Sequence, residues 1–197
     1  METISKVDAI KILHQKKVTF FDVADASKIF GIEKRKTLYV LLQRLEKDGV
    51  IRRIVNGKYH FALKDYHEFE LANFLINPSY ISLESALSFY GILPQFPYTI
   101  TSATPLKTKT INYQDKEYEY SHLDSGYFWG FIKKDKFLIA SPEKALLDEL
   151  YFIAKKLRNI HVQDLNLKAI DRKKLCELSK RYKFIPLHNL LTNLKIC

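Results

Sequence analysis

The sequence predicts an α+β protein on three observations: apolar residues at helical spacing through the first quarter, an aromatic and β-branched stretch from Tyr98 to Ala140, and renewed helix signals from Ser141 onward. With 197 residues, 47% of them hydrophobic, the chain can bury a sizeable core, and 27% charged residues exclude a disordered or membrane-embedded composition. No apolar run approaches the length of a bilayer span. The start alternates charged and apolar residues and lacks a basic leader, apolar stretch and cleavage site, so the expected location is cytoplasmic.

Val7, Ile10 and Leu13, with Ala9 and Ile12, give residues 5 to 15 an amphipathic helical face. A short apolar stretch, Val18 to Phe20, follows, and Thr19 or Asp22 can cap a second helix running to about Phe30. Gly31 interrupts the pattern. A third helix is expected from about Glu33 to Asp48, with Leu38, Leu41, Leu42 and Leu45 on one face. Two β-prone runs, Val50 to Val55 and Lys58 to Ala62, flank Asn56-Gly57, a pair suited to a type I′ hairpin turn.

A helix, a helix, a tight turn, a third helix and a hairpin within about sixty residues is the plan of a winged helix–turn–helix, expected over residues 1–64. The leucine stripe turns inward, which leaves Lys36, Tyr39, Val40, Gln43 and Lys47 outward, with Lys34 and Arg35 in the first turn. A groove-reading helix needs cations for phosphates and planar hydrogen-bonding groups for base edges: Gln43 suits adenine, and Arg35 or Lys36 suits guanine. Arg52, Arg53 and Lys58 fall on the hairpin, where a wing meets the DNA backbone. The expected DNA contacts are therefore Lys34, Arg35, Lys36, Tyr39, Gln43, Arg52, Arg53 and Lys58. The alternative is a protein-interaction module whose cations form a solvated face. Against it, three cations at a helix start oppose the macrodipole, which a polyanionic partner there would explain.

Residues 65–197 read as a mixed α/β domain with a small antiparallel or mixed sheet and flanking helices. Expected elements are a helix from about Tyr66 to Ile76, stopped by Asn77-Pro78, and one from Leu83 to Tyr90, capped by Ser82. Strands follow at Tyr98 to Ala103, Lys109 to Tyr113, Glu117 to His122, Tyr127 to Ile132 and Phe137 to Ala140. Ser141-Pro142-Glu143 starts a helix that runs to about Lys156, and two more helices follow at about 171–182 and 185–195.

Net charge is +10, and two basic stretches, 1–65 and 155–197, flank an acidic middle. A polyanionic partner is favoured. Arg172, Lys173 and Lys174 belong to the second basic stretch and offer additional phosphate contacts; a solvated helix face accounts for them equally well.

Tyr80-Ile81-Ser82-Leu83-Glu84-Ser85-Ala86-Leu87 with Tyr90-Gly91, and Ala140-Ser141-Pro142-Glu143-Lys144-Ala145-Leu146-Leu147-Asp148, resemble the two signature segments of AbiEi-type antitoxins of type IV toxin–antitoxin systems. A strand-rich region ending in Gly126 to Gly130 lies between them, so the resemblance covers nearly the whole chain. It implies an antitoxin that represses its own operon at operator DNA, often inverted repeats, and counteracts a nucleotidyltransferase toxin without a stable complex. Residue by residue, the same segments also have structural readings: Ser82 and Ser141 as caps, and Lys144 and Asp148 as an i, i+4 pair on one helix. A direct-contact toxin inhibitor and a ligand-responsive repressor are the competing functions.

No enzyme, cofactor or metal is expected. The histidines His14, His60, His67, His122, His161 and His188 are scattered, read as surface or capping residues, and no nucleophile elbow or phosphate loop occurs. Asp115, Lys116, Glu117 and Glu119 are the nearest approach to a nuclease constellation and read as an exposed hairpin. Cys176 and Cys197 lack metal-motif spacing and read as reduced thiols.

Overall fold

The computed structural model describes residues 4–160 and 164–197 and separates into two units, Met1–His67 and Glu68–Cys197. It is a mixed α+β structure with eight α-helices and two sheets among the described residues. None of those helices is long and apolar enough to cross a membrane.

In the first unit, α1 (Lys6–Gln15) is capped by Ser5, whose hydroxyl accepts a hydrogen bond from the Asp8 amide at 3.1 Å. The segment after it, expected as a connector, holds a short strand, β1 (Phe20–Asp22). Three residues are too few to show a period, and the strand exists through its partner. α2 (Val23–Phe30) starts at Asp22, which forms a reciprocal capping box with Asp25; Thr19 is not the cap. α3 (Arg35–Lys47) follows a turn in which the Ile32 amide donates to the Ser27 carbonyl and Ile32 itself enters the core. The hairpin is β2 (Ile51–Val55) with β3 (Lys58–Phe61).

These strands form an antiparallel sheet in the order β1-β3-β2. The Asn56-Gly57 turn is not the expected type I′, which needs positive φ at both central residues. Only Gly57 is in the left-handed region, at φ 77°, and the register shifts between Arg53 and Val55. A bulge supplies the twist that a I′ turn would have given. The core gathers Leu13, Phe21, Ala26, Phe30, the four leucines of α3, Ile51 and Phe61.

The second unit comprises α4 (Glu68–Leu75), β4 (Tyr80–Ile81), α5 (Leu83–Phe89), β5 (Ile100–Thr104), β6 (Lys109–Tyr113), β7 (Lys116–His122), β8 (Phe131–Lys134), β9 (Phe137–Ala140), α6 (Pro142–Ala154), α7 (Arg172–Ser179) and α8 (Ile185–Asn193). Its mixed sheet runs β6-β7-β5-β4-β9-β8, with β5 parallel to β7 and β4 parallel to β9. β5 is buried along its full length. β4, only two residues long, was not foreseen; it joins the two halves of the sheet by pairing Ile81 with both Ser102 and Ile139.

Three further expectations are corrected. Tyr127 to Ile132 is not one strand: a single 3-10 turn, Ser125–Tyr127, precedes β8, because Tyr127 stacks on Tyr182 at 4.5 Å and edges against Tyr151 instead of entering a ladder. Ser82 lies at the N-cap of α5 but makes no capping bond, since its hydroxyl donates to Asp148; Thr101 Oγ1 accepts the Ser85 amide in its place. Cys176 and Cys197 are not free thiols but a disulfide, with Cα atoms 5.6 Å apart. Local spacing was the wrong test, because α7 and α8 bring residues from 21 positions apart together.

Candidate nucleic-acid interface

α3 is one-sided. Leu38, Leu41, Leu42 and Leu45 are buried, while Lys34, Arg35, Lys36, Tyr39, Val40, Gln43 and Lys47 are exposed. Its start is chemically unusual: Lys34 occupies the N-cap, no side chain caps the helix, and the first turn contains no acid. Uncapped amides and the positive end of the helix dipole therefore coincide with three cations. Each cation there is destabilising by roughly 0.3–1 kcal/mol in the absence of an anion. The face opposite the leucines thus presents positive charge at one end, Tyr39 and Val40 in the middle, and Gln43 and Lys47 beyond.

Other basic residues of this unit are held by the protein. The Arg44 guanidinium donates to the Ile4 carbonyl and Lys6 Nζ to the Asp48 carbonyl at 3.0 Å, so both brace the C-terminal end of α3 against the start of α1. On the hairpin, Arg52 and Arg53 are exposed, and Arg53 reaches the Asn56 side-chain oxygen at 2.6 Å. Lys58 lies half-buried on the central strand, opposite Asp22 and Val55. His60 is buried, correcting its reading as a surface or capping residue: Nε2 lies 2.6 Å from the Lys64 carbonyl, between the rings of Phe20 and Tyr66. Burial pulls its pKa below the ordinary histidine value despite the bond to Lys64, with Arg52 opposite adding to the fall.

The basic tail is less available than its composition implies. Lys174 Nζ is 2.8 Å from Glu143, and Arg158 is drawn inward onto Glu84 at 2.6 Å and onto Glu119. Arg181 lies flat over the Trp129 ring, 3.8 Å from its centroid. Arg172 and Lys173 remain exposed on α7.

Two sets of buried titratable groups stand out in the second unit. Lys144 Nζ donates to Asp148, to Tyr80 at 3.0 Å and to Tyr182 at 2.8 Å. Asp148 also accepts from Tyr80 at 2.9 Å, Ser82 at 2.8 Å and Tyr182 at 2.7 Å. Both ions are fully buried and every N–H of the ammonium has an acceptor. Burial lowers the Lys144 pKa, while Asp148 opposes that fall. Tyr80 and Ser82 are thus joined to Lys144 and Asp148 in one structural network, which the i, i+4 spacing alone did not reveal. The second set surrounds Glu149, whose carboxyl is buried with no hydrogen-bond partner among the described residues. Burial, then Glu84, raises its pKa to about 8, with Arg158 acting in the opposite direction.

The conceivable nuclease residues do not converge. Glu119 is committed to Arg158, Glu117 accepts from Thr99 at 3.0 Å, Lys116 pairs with Glu68 at 3.4 Å, and Asp115 is exposed on the turn. No group of three or more histidine, cysteine, aspartate or glutamate residues among the described residues is placed to hold a metal ion. His122 Nδ1 meets the Leu106 carbonyl at 2.9 Å and His188 Nε2 the Tyr182 carbonyl at 2.7 Å; His161 lies outside the described residues. No protein-family model and no curated protein matches the chain.

Proposed function

We propose that this chain is a DNA-binding antitoxin and autorepressor of the AbiEi type, acting in the cytoplasm, with a winged helix–turn–helix as its first unit. In this reading α2 and α3 are the helix–turn–helix, α3 enters the major groove, and the β2–β3 hairpin is the wing. The observation that carries it is the start of α3, where Lys34, Arg35 and Lys36 cluster on an uncapped helix end with no acid in the first turn, Glu33 preceding it. A phosphate there would satisfy the free amides and offset the charge together. Tyr39 and Gln43 then face base edges, and Arg52 and Arg53, with Lys58 behind them, position the hairpin on the backbone. Arg172 and Lys173 offer further phosphate contacts, whereas Lys174 would have to leave Glu143 first. Promoter occlusion requires no catalysed reaction.

The antitoxin half of the proposal is supported by the resemblance of residues 80–91 and 140–148, and names a nucleotidyltransferase as the functional partner with no stable complex between them. The test has two parts. On DNA from upstream of its own reading frame, Gln43→Ala is expected to change discrimination among sequences by roughly 1–3 kcal/mol. Arg52→Ala, on the hairpin, is expected to weaken all sequences alike and flatten the salt dependence by roughly 1. A nucleotidyltransferase gene is expected beside its own, and co-expression with that toxin should restore growth without co-purification. Absence of a shifted band at low salt overturns the DNA reading, and a stable pair on purification overturns the antitoxin mechanism.

A further inference from the structure

Val40 is 59% exposed and Tyr39 beside it 44% exposed, on the face of α3 that otherwise carries lysine, arginine and glutamine. Lys36, Val40, Gln43 and Lys47 follow one another at helical spacing, so the valine sits between a cation and an amide and not at the margin of the leucine core. A solvated helix face gives little reason for valine there: β-branching lowers helix propensity, and more than half of the residue's surface stays exposed.

The major groove contains one apolar group, the 5-methyl of thymine, and small apolar side chains meet it. Val40 and Gln43 are three residues apart, about 4.5 Å along a helix axis, close to the roughly 3.4 Å step between base pairs. We propose that Val40 is a specificity-determining residue that packs on the 5-methyl of a thymine at the base pair next to the one Gln43 reads. This rests on the DNA-binding reading above, and adds that the recognised half-site holds adjacent A·T pairs. The cations of α3 supply the attraction that brings this apolar spot against the bases.

The experiment uses the full chain and a randomised duplex pool, from which the most enriched duplex is taken and remade with deoxyuridine in place of thymidine, one position at a time. Uracil keeps the pairing edge and lacks only the methyl. Wild type is expected to lose about three- to fivefold in affinity at one position in each half-site, the scale of one buried methyl. Val40→Ala should bind the thymine duplex more weakly by a similar factor and be indifferent to uracil at that position, while Val40→Ile restores the discrimination. Equal binding of every uracil duplex by wild type, or an unchanged uracil penalty in Val40→Ala, overturns the assignment and leaves DNA binding intact. A pool from which nothing is enriched overturns both.

Discussion

α3 and α6 are both thirteen residues long, and they treat charge in opposite ways. α3 buries four residues, all leucine, and, Arg44 apart, turns its charged side chains to solvent without a cap. α6 buries ten, including Glu143, Lys144, Asp148 and Glu149, and begins with Ser141 accepting the Lys144 amide and Pro142 in its first turn. Helix length and charge content therefore do not separate a recognition element from a structural one; the fate of each charged group does. On α6 the Lys144–Asp148 pair is desolvated and saturated with partners, so it ties Tyr80, Ser82 and Tyr182 into the second unit, while Glu149 is buried as the carboxylic acid. On α3 the exposed charges are hydrated and uncompensated, the condition needed to exchange water and counterions for a polyanion.

The contrast breaks most sharply at Asp148. Asp148→Ala removes the acceptor of four hydrogen bonds and strands the Lys144 charge in the interior, so roughly 3–5 kcal/mol of stability should be lost in urea unfolding. Replacing Lys144 by Met in the same protein should recover part of it. Retention of full stability in Asp148→Ala would mean that the ions of α6 are as dispensable as those of α3.

The next largest effect is a pH dependence. Glu149 has a folded pKa of about 8 against an ordinary 4.5, so between those values the native state holds a proton that the unfolded chain has released. Its contribution is fully present below about pH 4.5 and declines as pH rises to about 8, by at most roughly 1.4 kcal/mol per unit. Glu149→Gln should remove that slope and leave the variant a few kcal/mol more stable than wild type, by roughly that arithmetic, when unfolding is compared at pH 8. Parallel stability profiles for the two proteins would place Glu149 in contact with water.

Smallest is the effect of altering α3 itself. Lys36→Ala and Gln43→Ala remove exposed side chains from a helix anchored by its leucines, and should change unfolding free energy by no more than about 0.5 kcal/mol. A loss comparable to that of Asp148→Ala would mean that the outward face is packed, which ends its candidacy as an interface.

Much of this arrangement was legible in the sequence, and the limits have physical causes. The leucine stripe, the hairpin and the Ser141-Pro142 helix start are local patterns, each set by residues within one element. β1 and β4 are too short for a period and exist because distant strands pair with them. The Tyr127 to Ile132 region carries strand-prone aromatics that tertiary packing uses otherwise. The outward residues of α3 could be assigned from its wheel, since helix geometry fixes them. The burial of Lys144, the inward turn of Arg158 and the Cys176–Cys197 bond depend on long-range placement, to which charge counts and motif spacings are blind.

The Tyr80, Asp148 and Tyr182 hydrogen bonds also constrain the order in which the chain assembles. The first unit is compact within its own short stretch, with its sheet complete once β3 pairs, so it can settle as soon as β3 is made. β4 has to wait for β9, and the ammonium on α6 has no complete set of acceptors until Tyr182 arrives from beyond α7. During synthesis a finished N-terminal unit therefore precedes a sheet with an unfilled seam, and it is the late tyrosine that closes it.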